Sequence, residues 1–115
     1  MDLALEKSKA FSVRIVKLYQ YLCAERKEFV ISRQILKAGT SIGANLTEAK
    51  YAFSTRDYAA KKSIALKESA ETVYWLELLH NTGYLSDPEF SSMAADCEEI
   101  LKILIATVKK IKDKK

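Results

Sequence analysis

The sequence predicts an all-α chain folded as an antiparallel up-down-up-down four-helix bundle, and three observations lead there. Only 3 Gly and 1 Pro occur in 115 residues, too few turn-formers for the tight turns of a sandwich or small barrel. Apolar residues recur at spacings of three and four along most of the chain, the period of a helix with one buried face. Punctuation falls near Glu25 to Ser32, at Phe53 to Ser54 and at Asn81 to Pro88, leaving four segments of similar length. Long helices joined by short connections pack antiparallel with their sequence neighbours. Residues 1–115 have room for one domain only. The competing architecture is an open pair of helical hairpins that closes by assembling with copies of itself.

The first helix, from about Leu3 to Ala24, carries Phe11, Ile15, Leu18 and Leu22 on one face. The second starts near Ser32 and aligns Ile35, Gly39, Ile42, Leu46, Ala49 and Phe53. Gly39 and Gly43 inside it each cost about 1 kcal/mol relative to Ala, so a close neighbour is expected to compensate. Helix 3 is the expected neighbour, being small at Ala59, Ala60, Ser63, Ala65, Ser69, Ala70 and Thr72. That helix opens at Ser54, an N-cap with Asp57 three residues on, and ends near His80, before Asn81 and Gly83. The fourth opens at Ser86-Asp-Pro-Glu89, where Ser86 caps, Glu89 answers it and Pro88 sits in the first turn, and runs to about Ile111. The lysine-rich end, residues 109–115, is expected to fray.

Charge is segregated along the chain. Residues 68–101 hold eight acids and no lysine or arginine, whereas 102–115 hold six bases and one acid. In the predicted topology Lys7, Lys9, Lys61, Lys62, Lys109, Lys110 and Lys112 converge on one end, opposite an acidic end with Glu77, Asp87, Glu89, Asp96, Glu98 and Glu99. Such an end suits a phosphate backbone, RNA or DNA, with Lys61, Lys62, Lys109, Lys110 and Lys112 as the contacts. Tyr51, Phe53 and Tyr58 are the aromatics near it that stacking would use. The competing reading is that these charges only complement helix dipoles.

Ser41, Asn45 and Glu48 form a polar seam beside the apolar stripe of helix 2, with Lys67, Glu68 and Glu71 on helix 3 as expected partners in a register-fixing network. Helix 3 around Val73-Tyr-Trp-Leu-Glu-Leu-Leu79 and helix 4 from Ile100 to Val108 are apolar on more than one face. A homo-oligomer, or a protein partner docking on the same surface, would cover Tyr74, Trp75, Leu78, Ile103 and Ile105. In the protein-partner alternative the chain is an adaptor and its lysines serve solubility.

Catalytic constellations are missing from the sequence. His80 is the single histidine, and Glu77-Leu-Leu-His80 lacks the second Glu-x-x-His pair of a di-metal bundle, so no metal or cofactor is expected. An Arg-x(4–6)-His nuclease motif is excluded because Trp75, Tyr74 and Val73 occupy the arginine positions. No P-loop, Gly-x-Gly-x-x-Gly or Cys-x-x-Cys occurs, and the protein is expected not to be an enzyme. Cys23 and Cys97 lie within apolar runs with no signal peptide ahead of them, which points to a cytoplasmic setting and free thiols, a redox pair being the alternative. The longest apolar stretch is about half of the roughly 20 residues a membrane span needs.

Ser32-Arg-Gln-Ile-Leu-Lys-Ala-Gly-Thr-Ser-Ile-Gly-Ala-Asn-Leu-Thr-Glu-Ala49 and Ser63-Ile-Ala-Leu-Lys-Glu-Ser-Ala-Glu-Thr-Val-Tyr-Trp-Leu-Glu-Leu-Leu79 carry a family likeness. Across nearly its whole length the chain resembles the bacterial four-helix-bundle family first noticed as reading frames in intervening sequences of 23S ribosomal RNA genes. It is more distantly similar to the accessory proteins of diversity-generating retroelements, pentameric barrels of four-helix bundles that engage nucleic acid and reverse transcriptase through basic surfaces. The resemblance implies a small, cytoplasmic, oligomeric bundle without assigned biochemical activity, and the more distant likeness implies a homo-pentamer.

Overall fold

A computed structural model describes residues 2–114. They form four α-helices: α1 Leu3–Ala24, α2 Ile31–Lys50, α3 Thr55–Asn81 and α4 Asp87–Asp113. α4 thus continues as helix across most of the lysine-rich end.

Each start and stop has a local chemical cause. Asp2 caps α1 by accepting from the Leu5 N–H at 3.1 Å, and Ser54 caps α3 by accepting from Asp57 N–H at 3.0 Å. Ser86 and Glu89 form a reciprocal capping box at the start of α4, with Pro88 in the first turn. α2 is capped otherwise: the Glu28 carboxylate, three residues before the helix, accepts the N–H groups of Val30, Ile31 and Ser32. α1 closes through Lys27 in the left-handed conformation, φ 54°, with the Glu28 N–H returning to Leu22 O at 2.9 Å. Gly83, φ 86°, does the same for α3, with Leu85 N–H reaching Leu79 O.

One apolar core runs through all four helices: Phe11, Ile15 and Leu22 from α1, Ile35, Ile42 and Leu46 from α2, Leu76 and Leu79 from α3, Ile100 and Leu104 from α4. Each helix packs on its sequence neighbours, and α1 also packs on α4. This is the packing pattern of a four-helix bundle. The molecule measures 47 × 23 × 21 Å, so the long axis follows the helices.

The glycines of α2 face a different helix from the one expected. A Cβ built on Gly39 would lie 2.7–2.9 Å from three carbons of Ile15, and one on Gly43 would lie 3.3 Å from Ser8 Oγ and 3.4 Å from Ser12 Oγ. The close approach is therefore between α2 and α1. The small residues Ala65, Ser69 and Thr72 of α3 are buried and face inward on their own account.

Both thiols are free, and each is engaged with a different helix. Cys23 Sγ lies 3.7 Å from Ser32 Oγ on α2, while the fully buried Cys97 Sγ donates to Ser69 O on α3 at 3.4 Å. Burial, with the Glu98 and Asp96 charges nearby, pushes the Cys97 thiol up to about 12. A thiol reagent at neutral pH is therefore expected to label Cys23 in the folded protein and to reach Cys97 only on unfolding. Peptide mass mapping over time reads this, and equal labelling rates would contradict it.

Candidate nucleic-acid interface

The lysines that the sequence gathers at one end meet different fates. Lys62 is only 5% exposed: its ammonium lies 3.3 Å from Asp2 Oδ2 and 5.2 Å from the Tyr58 ring. It ties the start of α1 to α3. Burial raises the Asp2 pKa, but the Leu5 N–H and the Lys62 charge outweigh it and hold the carboxyl below its ordinary value. Lys61 reaches across to α2 and pairs with Glu48 at 2.9 Å, and that hydrogen bond and charge raise its own pKa. Lys7 pairs with Glu99 at 3.0 Å and Lys9 with Glu6 within its own helix. Adjacent lysines on a helix point about 100° apart, so one of the pair 61 and 62 turns inward and the other toward α2.

Lys109, Lys110 and Lys112 remain exposed, and among the described residues they take part in no ion pair. Of the three, Lys112 lines a groove of about 590 Å³ between the start of α3 and the end of α4, and Lys109 lines a neighbouring one beside Leu66 and Ile105. The walls of the first are Thr55, Arg56, Ala59, Ala60 and Ser63 on one side and Val108, Ile111, Lys112 and Lys114 on the other. Arg56 and Lys114 join the basic end here, beyond the lysines that the charge pattern singles out. Their signal in the sequence is a count without a position: residues 50–67 hold five bases, Arg56 among them, against one acid.

The acids are largely engaged. Arg14 of α1 bonds to Asp96, Ser92 O and Ser92 Oγ of α4, which with Lys7–Glu99 clamps α1 to α4. His80 Nε2 lies 2.6 Å from Asp87 Oδ1, and its ring stacks on Phe90 at 4.3 Å. That nitrogen is thus committed to the start of α4, and Glu77 stands exposed beside it without joining a cluster. Among the described residues no group of three or more His, Cys, Asp or Glu side chains is placed to hold a metal ion.

The polar seam does not close into the expected cross-helix network. Ser41 Oγ donates to Lys37 O at 2.7 Å and Asn45 Nδ2 donates to Ser41 O at 2.8 Å, so both bond back along α2. Glu48 is met by Lys61 rather than Lys67, and Glu71 accepts from Trp75 Nε1 at 3.1 Å. The half-buried Glu68 accepts from Thr72 Oγ1 through its backbone carbonyl at 2.8 Å, while its carboxylate makes no hydrogen bond among the described residues; burial and then the neighbouring Glu71 raise its pKa against the pull of Lys37.

The five residues assigned to an outer interface differ in exposure. Tyr74 is 53% exposed and meets Trp75 edge-on at 4.9 Å, with Leu78 half-buried one turn further on. Ile103 packs against the core. Ile105 is exposed beside Leu66, Lys109 and Lys112, about 12 Å along α3 from Tyr74 at 1.5 Å per residue. No helix among the described residues is long and apolar enough to cross a membrane.

Fold and site together define an all-α, four-helix protein. Its described polar groups serve as caps, inter-helix ion pairs and a lysine-rich end. The chain belongs to the 23S rRNA-intervening sequence protein family, whose family model matches residues 3–106. A crystal structure of a protein of unknown function from the S23 ribosomal protein family of Bacteroides thetaiotaomicron is 51% identical, with a TM-score of 0.91. The match covers 93% of this chain and 99% of that one. No curated protein matches the chain.

Proposed function

We propose that this protein is a non-enzymatic, cytoplasmic up-down-up-down bundle that self-assembles and binds the phosphate backbone of nucleic acid through Lys109, Lys110 and Lys112. The observation that carries the binding reading is the contrast among lysines. Lys7, Lys61 and Lys62 are paired with carboxylates of other elements, while Lys109, Lys110 and Lys112 stand exposed and without an ion pair among the described residues, Lys112 in a groove with Arg56 and Lys114. Unpaired cations clustered at one end of a helix are what counterion release at a polyanion uses.

Antiparallel order is supported by pairings that cross in register. Ile15 meets Gly39 while Ser8 and Ser12 meet Gly43; Lys7 meets Glu99 while Arg14 meets Asp96. Self-assembly is supported by the exposed Tyr74 on α3 and by Val13 and Ile105 on α1 and α4, and five copies is the number the resemblance implies. The two free thiols fit a reducing compartment.

The test is binding to labelled single-stranded and duplex RNA and DNA over a salt series, with a Lys109→Glu/Lys110→Glu/Lys112→Glu variant alongside. The wild type is expected to bind with log affinity falling linearly in log salt. The variant should bind at least about tenfold more weakly and with a slope shallower by two to three, roughly 0.7–0.9 for each phosphate no longer neutralised. Lys62 is unsuitable for this test, because its ammonium is buried against Asp2. Absence of binding at low salt would overturn the reading and move the search to protein partners of the Tyr74 and Trp75 surface.

A further inference from the structure

We infer that the turn between α2 and α3 is a base-stacking platform, which makes single-stranded nucleic acid the preferred ligand of the basic end. The inference rests on the nucleic-acid reading above and narrows it to a ligand class.

Phe53 is fully exposed, at 101%, and Tyr51 is 71% exposed. Single exposed apolar residues are common, but two rings two positions apart on one tight turn are not scattered exposure. The backbone that presents them is held: Tyr51 N–H bonds to Glu48 O at 3.1 Å, Ala52 N–H to Ala49 O at 3.2 Å, and Phe53 N–H donates to Asp57 Oδ2 at 3.4 Å. Such an anchored turn loses little freedom when a ligand settles on the rings.

The surroundings discriminate between ligands. Tyr51 and Phe53 line an open groove of about 680 Å³ whose remaining walls are Thr47, Glu48, Asp57 and Lys61. No aliphatic side chain is among them, so an apolar helix face of a protein partner would find no complement beyond the two rings. A base has an aromatic face to stack and polar edges that suit such walls. Both carboxylates are already engaged, Glu48 by Lys61 and Asp57 by the Phe53 N–H, while the Lys50 ammonium stands 5.8 Å from the Tyr51 ring centre. The first two turns of α3 separate this groove from the basic one, with Asp57 and Lys61 on one side and Arg56, Ala59 and Ala60 on the other. Arg56 lies three residues after Phe53, so a strand with a base on that ring has this guanidinium as its nearest unpaired cation in the chain beyond the turn. A duplex, with its bases stacked inside, presents phosphates to the lysines and nothing to the rings.

The experiment measures affinity of the full chain for a labelled single strand of about 15 nucleotides and for the corresponding duplex, each as RNA and as DNA. Wild type is compared with Phe53→Ala, Phe53→Leu and the triple lysine variant. Expected is a preference for single strand, reduced about tenfold by Phe53→Ala and nearly as much by Phe53→Leu, with duplex affinity and salt slope unchanged. Because Phe53 is fully exposed, neither substitution removes core packing. If the lysine variant loses both polymers while the Phe53 variants bind single strand like wild type, the platform is refuted and the basic end stands. A change in oligomeric state on Phe53→Ala without a change in single-strand affinity refutes it in favour of a self-association surface. If neither polymer binds the wild type, both readings fall.

Discussion

Replacing Gly39 by alanine is expected to destabilise the fold by about 2 kcal/mol, whereas Gly43→Ala changes stability by less than about 1 kcal/mol. Both substitutions gain about 1 kcal/mol of helix propensity, so the difference between them is packing alone. The new methyl at position 39 would lie 2.7, 2.8 and 2.9 Å from three carbons of Ile15. Carbon pairs settle near 3.5–4.0 Å, and Ile15 is fully buried with no room to withdraw. α1 and α2 must then move apart, and the loosened core costs roughly 3 kcal/mol against the propensity gain. At position 43 the methyl meets hydroxyl oxygens of Ser8 and Ser12 at 3.3 and 3.4 Å, and a few tenths of an ångström of side-chain movement relieves it. Thermal unfolding checks this: a melting temperature lower by roughly 10 °C for Gly39→Ala and by only a few degrees, if at all, for Gly43→Ala. Adding Ile15→Ala to Gly39→Ala should cost less than it costs alone, since the first methyl fills part of the space the second change vacates. Equal losses at the two glycines would remove the close-packing account.

That contrast shows which parts of the architecture the sequence makes legible. Helix limits are written locally: Ser54 with Asp57, Ser86 with Glu89, and Gly83 after α3 each announce a cap within three or four residues. The apolar face of each helix is equally local, because Phe11, Ile15, Leu18 and Leu22 share a side by period alone. Which neighbour a face meets is not local. Gly39 lies on a stripe that borders both α1 and α3, and the small residues of α3 make it the attractive partner, yet the ring of α1 to α4 turns Gly39 to Ile15. The basic end is legible as a charge count and not as a surface: Lys61 and Lys62 are adjacent in sequence, and one helical step takes the first to Glu48 and the second into the bundle beneath Asp2. Arg56 and Lys114 become visible only when α3 and α4 are placed side by side.

The cap of α2 escapes the sequence for a different reason, and it is where the second large effect is expected. The start of that helix lacks the usual Ser, Thr, Asp or Asn at its N-cap; Val30 stands there and makes no side-chain cap bond. Glu28 supplies the missing acceptor from two residues further back. Its Oε2 accepts from Val30 N–H at 3.2 Å and Ile31 N–H at 3.1 Å, its Oε1 from Ser32 N–H at 2.7 Å, and its own carbonyl accepts from Ser32 Oγ at 2.8 Å. The left-handed Lys27 turns the chain so that this carboxylate lies buried under the first turn. Glu28→Ala leaves three N–H groups without their partner and is expected to cost about 2 kcal/mol, whereas Glu28→Gln keeps one acceptor oxygen but loses the charge and is expected to cost about 1 kcal/mol. Lys62 is no comparable case, because its partner Asp2 stays accessible to water.

The same site gives stability a pH dependence whose sign follows from its charge. Burial pushes the Glu28 pKa up, but the N–H groups of Ser32, Ile31 and Val30 together outweigh it and hold the carboxyl below its ordinary 4.5. The folded protein therefore holds this proton less tightly than the unfolded chain does. Its contribution is complete above pH 4.5 and is lost as pH falls through the folded value. Glu68, raised by burial and by Glu71, acts in the opposite direction, so the acid limb of wild type alone mixes the two. The difference between wild type and Glu28→Gln isolates the cap: it should be widest at neutral pH and narrow steadily on acidification below 4.5. Urea unfolding at a series of pH values measures that difference. A gap of the same size at neutral and strongly acid pH would mean that ionisation of Glu28 contributes nothing to the cap, and the charged cap would be discarded.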